Sequence, residues 1–550
     1  MSMRTIKNPI LPGFFPDPSI CRVGDDYYIA NSSFEWFPGV PIHHSKDLVH
    51  WRLVGHALTR KSQLDLRGVA DSCGVWAPSL SFADGQFWLV YTNIRNAGMG
   101  RPFKDLEIFL TTAPDINGPW SEPVELNSVG FDPSLFHDED GRKWLVNMLW
   151  DFRNNRYRFA GIVVQEFDHR SCRLVGPMTK ILEKQNILCE GPNLYKRDGF
   201  YYLMLAEGGT GWNHGISMAR SRNILGSYEL DPEPSVITSR DDAFLPLQKA
   251  GHGELVEAQS GEIFLAHLAS RPLKTNAGNN PDSPDKSASA AAHAGDRCVL
   301  GRETCLQRVE WRDGWLRLAI GGTKPQLEVP APRDLPPHPW PIAAARDDFD
   351  SPELGLQWNS LRIPADESWL SLVERSGWLR LRGRDSLHSF FDQSVIARRV
   401  QDFRYAVETR MEFSPTHFMQ SAGLTCYYDT QTHFYLRVTH DESRGRILGV
   451  VLTDDGSYIE LADSEIVVND WKSFFLRASV DLEKLQFSAS PDGKTWQSVG
   501  RVMDASKLSD DYGAGLHFTG AMVGLCAQDL GGNRACADFD YFLYQPLSDP

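Results

Sequence analysis

The chain has 550 residues, and its 71 acidic side chains outnumber 56 basic ones, for a formal net charge of −15. A chain of this length exceeds one hydrophobic core and predicts two or more domains. The negative charge argues against a nucleic acid or an anionic membrane as partner, because phosphates would be repelled. No apolar stretch approaches the roughly 18 residues of a membrane-spanning helix, so no membrane span is expected.

The first residues, Met1 to Asn8, lack the apolar segment of a secretory signal. The nine cysteines are scattered, and none forms a Cys-x-x-Cys pair. This pattern indicates reduced thiols rather than disulfides or a zinc site. We therefore expect a cytoplasmic protein.

A short theme recurs five times in the first half of the chain, and each copy leads through a polar turn into an aromatic-rich strand. The copies begin at Asp17-Pro18-Ser19-Ile20, Ala77-Pro78-Ser79-Leu80, Asp132-Pro133-Ser134-Leu135, Gly191-Pro192-Asn193-Leu194 and His252-Gly253-Glu254-Leu255. Their starts are 55 to 61 residues apart. Hairpin chemistry within such a period predicts a propeller of five small sheets. Equivalent positions in a propeller converge on one axis.

The pattern changes twice further along the chain. Residues 276–295 are small and polar and predict a long mobile loop or insertion. A Pro-rich linker follows at 324–346. Beyond it, alternating strands such as Trp378-Leu379-Arg380-Leu381-Arg382 predict an antiparallel sandwich. We predict an all-β chain: a five-bladed β-propeller at 1–323, the linker, and a β-sandwich at 347–550, which by itself is a sugar-binding module or a structural cap.

Three acids stand at or beside the repeat positions. Asp17 lies between two prolines, Asp132 occupies the same position two blades on, and Glu190 precedes the fourth copy. Taken alone, Asp17 reads as a turn aspartate. Ala77, at the second copy, shows that the fold does not require an acid there. Like charges gathered at one axis oppose folding, which favours a functional role. A poorly solvated Glu190 would have a raised pKa and suit a general acid.

Other candidates for the same chamber are less specific. His252 takes the fifth repeat position, where it would contact substrate, help to hold an axial ion or water, or serve structure alone. Three aromatic residues next to inner strands are as consistent with core packing as with a sugar platform: Phe34, Trp76 and Trp150. Arg302 follows the long loop and fits either a surface ion pair or the pocket. A phosphate-binding glycine loop, a Gly-x-Ser-x-Gly elbow and a His-Glu-x-x-His motif are all absent from the sequence.

Several ordered motifs together resemble glycoside hydrolase family 43, and in particular its two-domain β-xylosidases. The motifs are Phe15-Pro16-Asp17-Pro18-Ser19, Trp76-Ala77-Pro78, Gly130-Phe131-Asp132-Pro133-Ser134, Glu190-Gly191-Pro192, residues 33–40 and 42–48, and Leu516-His517-Phe518-Thr519-Gly520-Ala521. The resemblance implies a five-bladed propeller that hydrolyses glycosides with inversion. It implies Asp17 as general base, Glu190 as general acid, and Asp132 as the residue that tunes and orients the acid. It also implies substrate contacts from Phe34, Trp76, Trp150, His252, Arg302 and, from the C-terminal domain, Phe518.

The resemblance leads to a specific expected activity, the release of D-xylose from the non-reducing ends of β-1,4-xylo-oligosaccharides, with α-L-arabinofuranosidase activity as a plausible addition. No cofactor is expected; the register of His252 leaves a structural cation on the propeller axis open. Homo-oligomers are common among proteins that resemble this one. Two alternatives stay open. One is an arabinan- or fructan-acting hydrolase of the same architecture, and the other is a non-catalytic sugar-binding propeller with a lectin-like sandwich.

Overall fold

The computed structural model describes residues 4–97, 102–275, 291–515 and 517–548. Most of the 276–295 loop therefore lies outside the described residues. The described chain is built almost entirely of strands, with short 3-10 turns at Ala462–Ser464 and Ala505–Lys507. No helix in this described part is both long and apolar enough to cross a membrane.

The N-terminal half forms five antiparallel sheets, each built from four or five strands that lie close together in the chain. They comprise Ser19–Val23, Asp26–Ala30, Gly39–Ser45 and Arg52–Leu58; Gly74–Ala83, Gln86–Asn96, Asp105–Ala113 and Val124–Asn127; Ser134–His137, Lys143–Trp150, Phe159–Asp168 and Arg173–Leu182; Cys189–Arg197, Phe200–Glu207, Gly215–Ser221, Glu229–Leu230 and Ile237–Thr238; and Gln248–Glu257, Ile263–Ser270, Glu303–Arg312 and Trp315–Leu318. The first strand of each sheet contacts the first strands of both neighbouring sheets. These contacts close a ring and confirm the predicted five-bladed propeller.

The recurring theme has one backbone conformation in all five blades. Its first residue has a positive φ at every copy: Asp17 51°, Ala77 32°, Asp132 53°, Gly191 54° and His252 36°. In the second, fourth and fifth blades the strand pairing shifts register at this point. A bulge with left-handed backbone re-aims one side chain out of the pleat. The repeat therefore directs one residue per blade toward the axis.

The hairpins inside the blades follow from their turn residues. Asp84 and Gly85 both have positive φ, 54° and 74°, and so do Asp198 and Gly199, at 51° and 75°. Two consecutive left-handed residues form the tight turn whose twist matches that of antiparallel strands. The polar turns of the sequence thus fix where each second strand begins.

The C-terminal half is a sandwich of two antiparallel sheets. One contains Arg346–Asp347, Leu370–Ser371, Leu379–Arg382, Arg404–Glu412, Phe474–Asp481, Lys484–Ser490, Gln497–Asp504 and Cys536–Pro546. The other contains Asn359–Leu361, Ser394–Arg399, Gln420–Tyr427, His433–Asp441, Gly445–Asp454, Ser457–Glu460, Ile466–Val467 and Met522–Asp529. Strands such as Arg404–Glu412 alternate between buried and partly exposed side chains, as one face packs on the core.

The two halves share a sheet. The short strand Trp36–Phe37, which lies between the second and third strands of the first blade, pairs with Asn359–Leu361 and becomes an edge of the second sandwich sheet. Trp36 is fully buried, and its ring meets Tyr427 of the sandwich edge-on at 5.9 Å between centroids. Two further pairings, Thr5–Lys7 with Glu328–Pro330 and Leu273–Lys274 with Asp296–Arg297, complete the strands. The sandwich is therefore anchored beside the entrance to the propeller.

Candidate active site

The three acids of the sequence analysis come together at the centre of the propeller. Asp17, Asp132 and Glu190 belong to three different blades, and each exposes only 5 to 7% of its surface. The charge of Asp17 acts on both Glu190 and Asp132, and that of Glu190 acts on Asp132. Carboxyl groups that are this buried and this close cannot all be ionised at neutral pH. At neutral pH the site therefore contains both ionised and protonated carboxyl groups.

Asp17 is held as an anion. Arg302 donates from Nη1 to Asp17 Oδ1 at 2.8 Å, and the Ser32 hydroxyl donates to Oδ2 at 2.6 Å. Burial alone would raise the pKa of Asp17, but the charges of Arg302 and His252 and the Ser32 hydrogen bond hold this pKa below its usual value. Ser32 in turn accepts the Ala77 N–H at 2.7 Å. Asp17 is thus ionised and rigidly oriented, as a general base must be.

Glu190 is held as an acid. Burial, together with the negative charge of Asp17, raises the pKa of Glu190 to about 7, against the opposing charges of Lys104 and Arg302. Burial and the charges of Glu190 and Asp17 also raise the pKa of Asp132 well above its usual range. The Gly191 N–H donates to Asp132 Oδ2 at 3.2 Å. Asp132 therefore fixes the backbone directly after Glu190.

The fourth blade carries glycine at its repeat position and its acid one residue earlier. A Cβ on Gly191, where φ is 54°, would lie 3.0 Å from the His252 ring and 3.1 Å from Ala206 Cβ. His252 therefore packs against the Gly191 backbone, next to the acid. The neighbouring charges of Asp17 and Arg302 place His252 at the same centre.

A cluster of aromatic rings lies beside the acids, in contact with Arg302 and Lys104. Phe34 lies 6.1 Å from both Trp76 and Phe518, and Trp76 lies 5.3 Å from Phe518 and 5.5 Å from Phe131. Phe131 continues to Trp150 at 6.0 Å. Flat apolar walls around polar groups are typical of sugar pockets, because a sugar ring has apolar C–H faces and a polar rim.

The sandwich supplies part of this wall. The Phe518 N–H donates to Ser72 Oγ at 3.0 Å, and the Phe518 carbonyl accepts from Arg302 Nη2 at 3.0 Å. Arg302 therefore joins the Asp17 carboxylate to the C-terminal domain. The structure brings the predicted Phe34, Trp76, Trp150, His252, Arg302 and Phe518 to one chamber with the three acids.

Four residues of the chamber were missed from the sequence: Ser32, Lys104, Phe131 and His214. Ser32 and Phe131 adjoin motif residues, so the motifs themselves were a usable signal. Lys104 lies between the second and third strands of the second blade and belongs to no repeat. His214 is fully buried, and a Cβ on Gly251 would lie 2.0 Å from its ring. Only the packing of distant segments reveals Lys104 and His214.

A narrow polar cavity of about 10 Å³ lies on the axis beneath the acids, lined by repeat residues that include Asp132, Asn193, His252 and Glu254. This volume is about what one water molecule needs. Within the described residues, no group of three or more His, Cys, Asp or Glu side chains converges as metal ligands. Arg302 also brings positive charge to the His252 side of the centre.

A propeller whose axis gathers an ionised and a protonated carboxyl inside an aromatic pocket defines a class of protein, the glycoside hydrolases. Comparison with protein families gives the particular one. Residues 6–316 match the glycosyl hydrolases family 43, and residues 346–545 match the beta xylosidase C-terminal concanavalin A-like domain. The chain belongs to glycoside hydrolase family 43.

Individual relatives match along nearly the whole chain. The crystal structure of xylan beta-1,4-xylosidase from Bacillus halodurans C-125 is 51% identical with a TM-score of 0.93, over 98% of this chain and 100% of that one. A xylan 1,3-beta-xylosidase from a Vibrio species is 45% identical over 98% of this chain and 99% of its own. Xylosidase/arabinosidase 43B from Humicola insolens is 44% identical over 100% of this chain and 99% of its own.

Proposed function

We propose that this protein is an exo-acting β-1,4-xylosidase that releases D-xylose from the non-reducing ends of short xylo-oligosaccharides with inversion of the anomeric centre. One observation carries the proposal. Two buried carboxyls on different blades face one chamber, and their pKa values are displaced in opposite directions. Such a pair assigns the base and the acid of a glycosidase.

The two carboxyls divide the reaction between them. Asp17, kept ionised by Arg302 and Ser32, takes a proton from the water that attacks the anomeric carbon. Glu190, protonated near neutral pH, gives its proton to the departing oxygen. A direct attack of this kind requires the two carboxyls to be about 6.5–9.5 Å apart, so that water fits on the far face of the sugar. Asp132 orients Glu190 through the Gly191 N–H and needs no contact with the sugar.

The closed chamber supports attack at chain ends. Phe518 and Arg302 seal one side of the pocket with residues of both domains. An arabinan- or fructan-cleaving enzyme that cuts internal bonds needs an open cleft, so this seal disfavours that alternative. The three retained acids disfavour a non-catalytic sugar-binding propeller.

The names of the relatives support xylose as the released sugar and β-1,4 as the linkage. The B. halodurans protein is named for β-1,4 linkages and the Vibrio protein for 1,3 linkages, and the former is the more similar to this chain. The H. insolens relative carries both xylosidase and arabinosidase in its name. We therefore include α-L-arabinofuranosidase as a second activity, because a pentofuranose can present hydroxyls much as xylopyranose does.

The proposed chemistry requires no cofactor, since the two carboxyls supply both proton transfers. A structural cation near His252 and a homo-oligomeric state stay predictions. All nine cysteines are free thiols, which supports the proposed cytoplasmic setting.

Reducing-end-labelled β-1,4-xylotriose tests the proposal. We expect unlabelled xylose and labelled xylobiose as first products, and slower turnover of β-1,3-xylobiose and of 4-nitrophenyl α-L-arabinofuranoside. Labelled xylose as the first product would contradict attack at the non-reducing end. Faster turnover of the 1,3-linked sugar would correct the linkage.

A further inference from the structure

Lys104 carries a positive charge in the chamber, and the proposed reaction gives that charge no role. Its ammonium lies 4.6 Å from the centre of the Trp150 ring, 5.1 Å from Trp76 and 5.5 Å from Phe131. Among the described residues, no carboxylate oxygen lies within 4.0 Å of this ammonium and no acceptor hydrogen-bonds to it. An ammonium has three donors and loses hydration on burial. Three aromatic faces stabilise its charge, but they accept none of its N–H groups as a carboxylate or hydroxyl would.

Lys104 lies away from the site of the non-reducing xylose, whose anomeric carbon is attacked. Both cations act on Glu190 and Asp132, but only Arg302 hydrogen-bonds Asp17, and Lys104 is not among the charges that act on Asp17. Lys104 therefore lies on the acid side of the chamber. Lys104 is also next to the rim. Phe103, beside it in the chain, is 56% exposed, and its ring lies 5.1 Å from Phe152, which is 50% exposed. Trp150 fixes this rim by donating from Nε1 to the Pro102 carbonyl at 2.8 Å.

We propose that Lys104 binds the leaving group, donating hydrogen bonds from its ammonium to hydroxyls of the sugar that departs from Glu190. The inference rests on the proposed function, because it takes Glu190 as the group that protonates the departing oxygen. The acid side of the chamber, between Glu190 and the exposed rim, is where that sugar must lie. The three rings hold the ammonium in place there and supply a platform for the sugar's apolar face.

A purely structural role is a poor explanation of these contacts. Methionine would fill the same aromatic cage without the cost of burying charge. Burial lowers the pKa of Lys104, while the nearby carboxyls of Glu190 and Asp132, when ionised, raise it. A lysine kept here is therefore useful for its donors and its charge.

Two substrates with different leaving groups test the inference. The leaving group of xylobiose is xylose, which has several hydroxyls. The leaving group of phenyl β-xyloside is phenol, which has no hydroxyl besides the departing oxygen and so offers Lys104 no further acceptor. We expect Lys104→Met to lower kcat/KM for xylobiose by about 10- to 100-fold, as for loss of a charged hydrogen bond, and to change kcat/KM for phenyl β-xyloside by less than about threefold. Lys104→Arg should recover most of the xylobiose activity, because it restores charged donors. Lys180→Met, at an exposed lysine on the third blade, is the matched control.

Each outcome decides one point. Equal losses on both substrates in Lys104→Met, or no loss on xylobiose, would overturn the role in leaving-group binding while leaving the xylosidase proposal intact. Failure of Lys104→Arg to recover more xylobiose activity than Lys104→Met would also overturn it. A wild-type protein that turns over neither substrate would overturn the proposed function, and this inference with it.

Discussion

At the scale of single residues, catalysis depends on how burial and charge are distributed over chemically similar groups. Asp17 and Glu190 are equally buried, yet Arg302 and Ser32 contact only Asp17. The pKa of Asp17 consequently falls, and that of Glu190 rises to about 7. In the proposed mechanism, environment rather than residue type separates the base from the acid.

The pH dependence of kcat/KM follows from these two groups. The proposed mechanism requires ionised Asp17 and protonated Glu190, so activity should persist into acidic pH and decline as pH rises through about 7. Burial and Asp17 raise the pKa of Glu190, whereas Lys104 and Arg302 lower it. Lys104→Met removes one of the two lowering charges, so the alkaline decline should move to higher pH. Initial rates on xylobiose across pH measure the wild-type profile and its shift in Lys104→Met. An alkaline limb that moves down in Lys104→Met would contradict this electrostatic assignment.

Removing each carboxyl should have a different dependence on the leaving group. Glu190→Gln cannot donate a proton, so kcat on phenyl β-xyloside should fall by about 10²–10⁴-fold. The loss should shrink with 2,4-dinitrophenyl β-xyloside, whose leaving group needs little protonation. Asp17→Asn removes the base and should impair both substrates alike. Steady-state kinetics with the two aryl xylosides checks this, and equal behaviour of the two variants would refute the division of roles.

At the scale of elements, the strand Trp36–Phe37 links the pocket to the sandwich. Phe34 and Glu35 precede it directly, with Phe34 in the chamber wall and Glu35 fully buried at the domain boundary. The Arg362 N–H donates to the Glu35 carbonyl at 2.9 Å, and Arg362 Nη2 donates to Asp71 Oδ1 at 2.7 Å. Residues that shape the pocket are thus next to those that fasten the domains together.

Glu35 should make this junction sensitive to pH. Burial, together with the charge of Asp71, raises the pKa of Glu35 to about 8 despite Arg362. The folded state therefore retains a proton that the unfolded chain loses near its ordinary pKa of 4.5, and the free energy of unfolding falls as pH rises between these values. Glu35→Gln should flatten that fall.

Urea unfolding of wild type and Glu35→Gln at about pH 5.5 and pH 8 measures the effect. Glu374→Gln, at a surface carboxylate of the sandwich paired with Arg380 and Arg382, is the control for loss of one negative charge. An identical loss of stability with pH in wild type and Glu35→Gln would contradict the assignment.

At the scale of the whole molecule, the repeat theme was sufficient to predict much of the architecture. The theme places left-handed backbone at five equivalent positions, so its period predicted five blades and its acids predicted a shared centre. Family resemblance then added the sandwich residue Phe518. The predicted pocket residues of the propeller meet because the five blades close into a ring. The five copies of the theme implied this closure.

What the sequence did not reveal depends on packing between distant segments. Lys104 enters the chamber because Trp150, on another blade, fixes Pro102. His214 reaches the centre because Gly251 leaves room for its ring. Trp36–Phe37 reads as part of the first blade until its pairing with Asn359–Leu361 is seen. No local pattern encodes contacts of these kinds, because each joins segments far apart in the chain.

The central claim is that water, activated by Asp17, displaces the leaving group while Glu190 protonates it in a single inverting step. Proton NMR of xylobiose hydrolysis, recorded before mutarotation, tests it most directly. The account predicts α-xylose as the first anomer formed from the released non-reducing sugar. Initial formation of β-xylose from that sugar would contradict it.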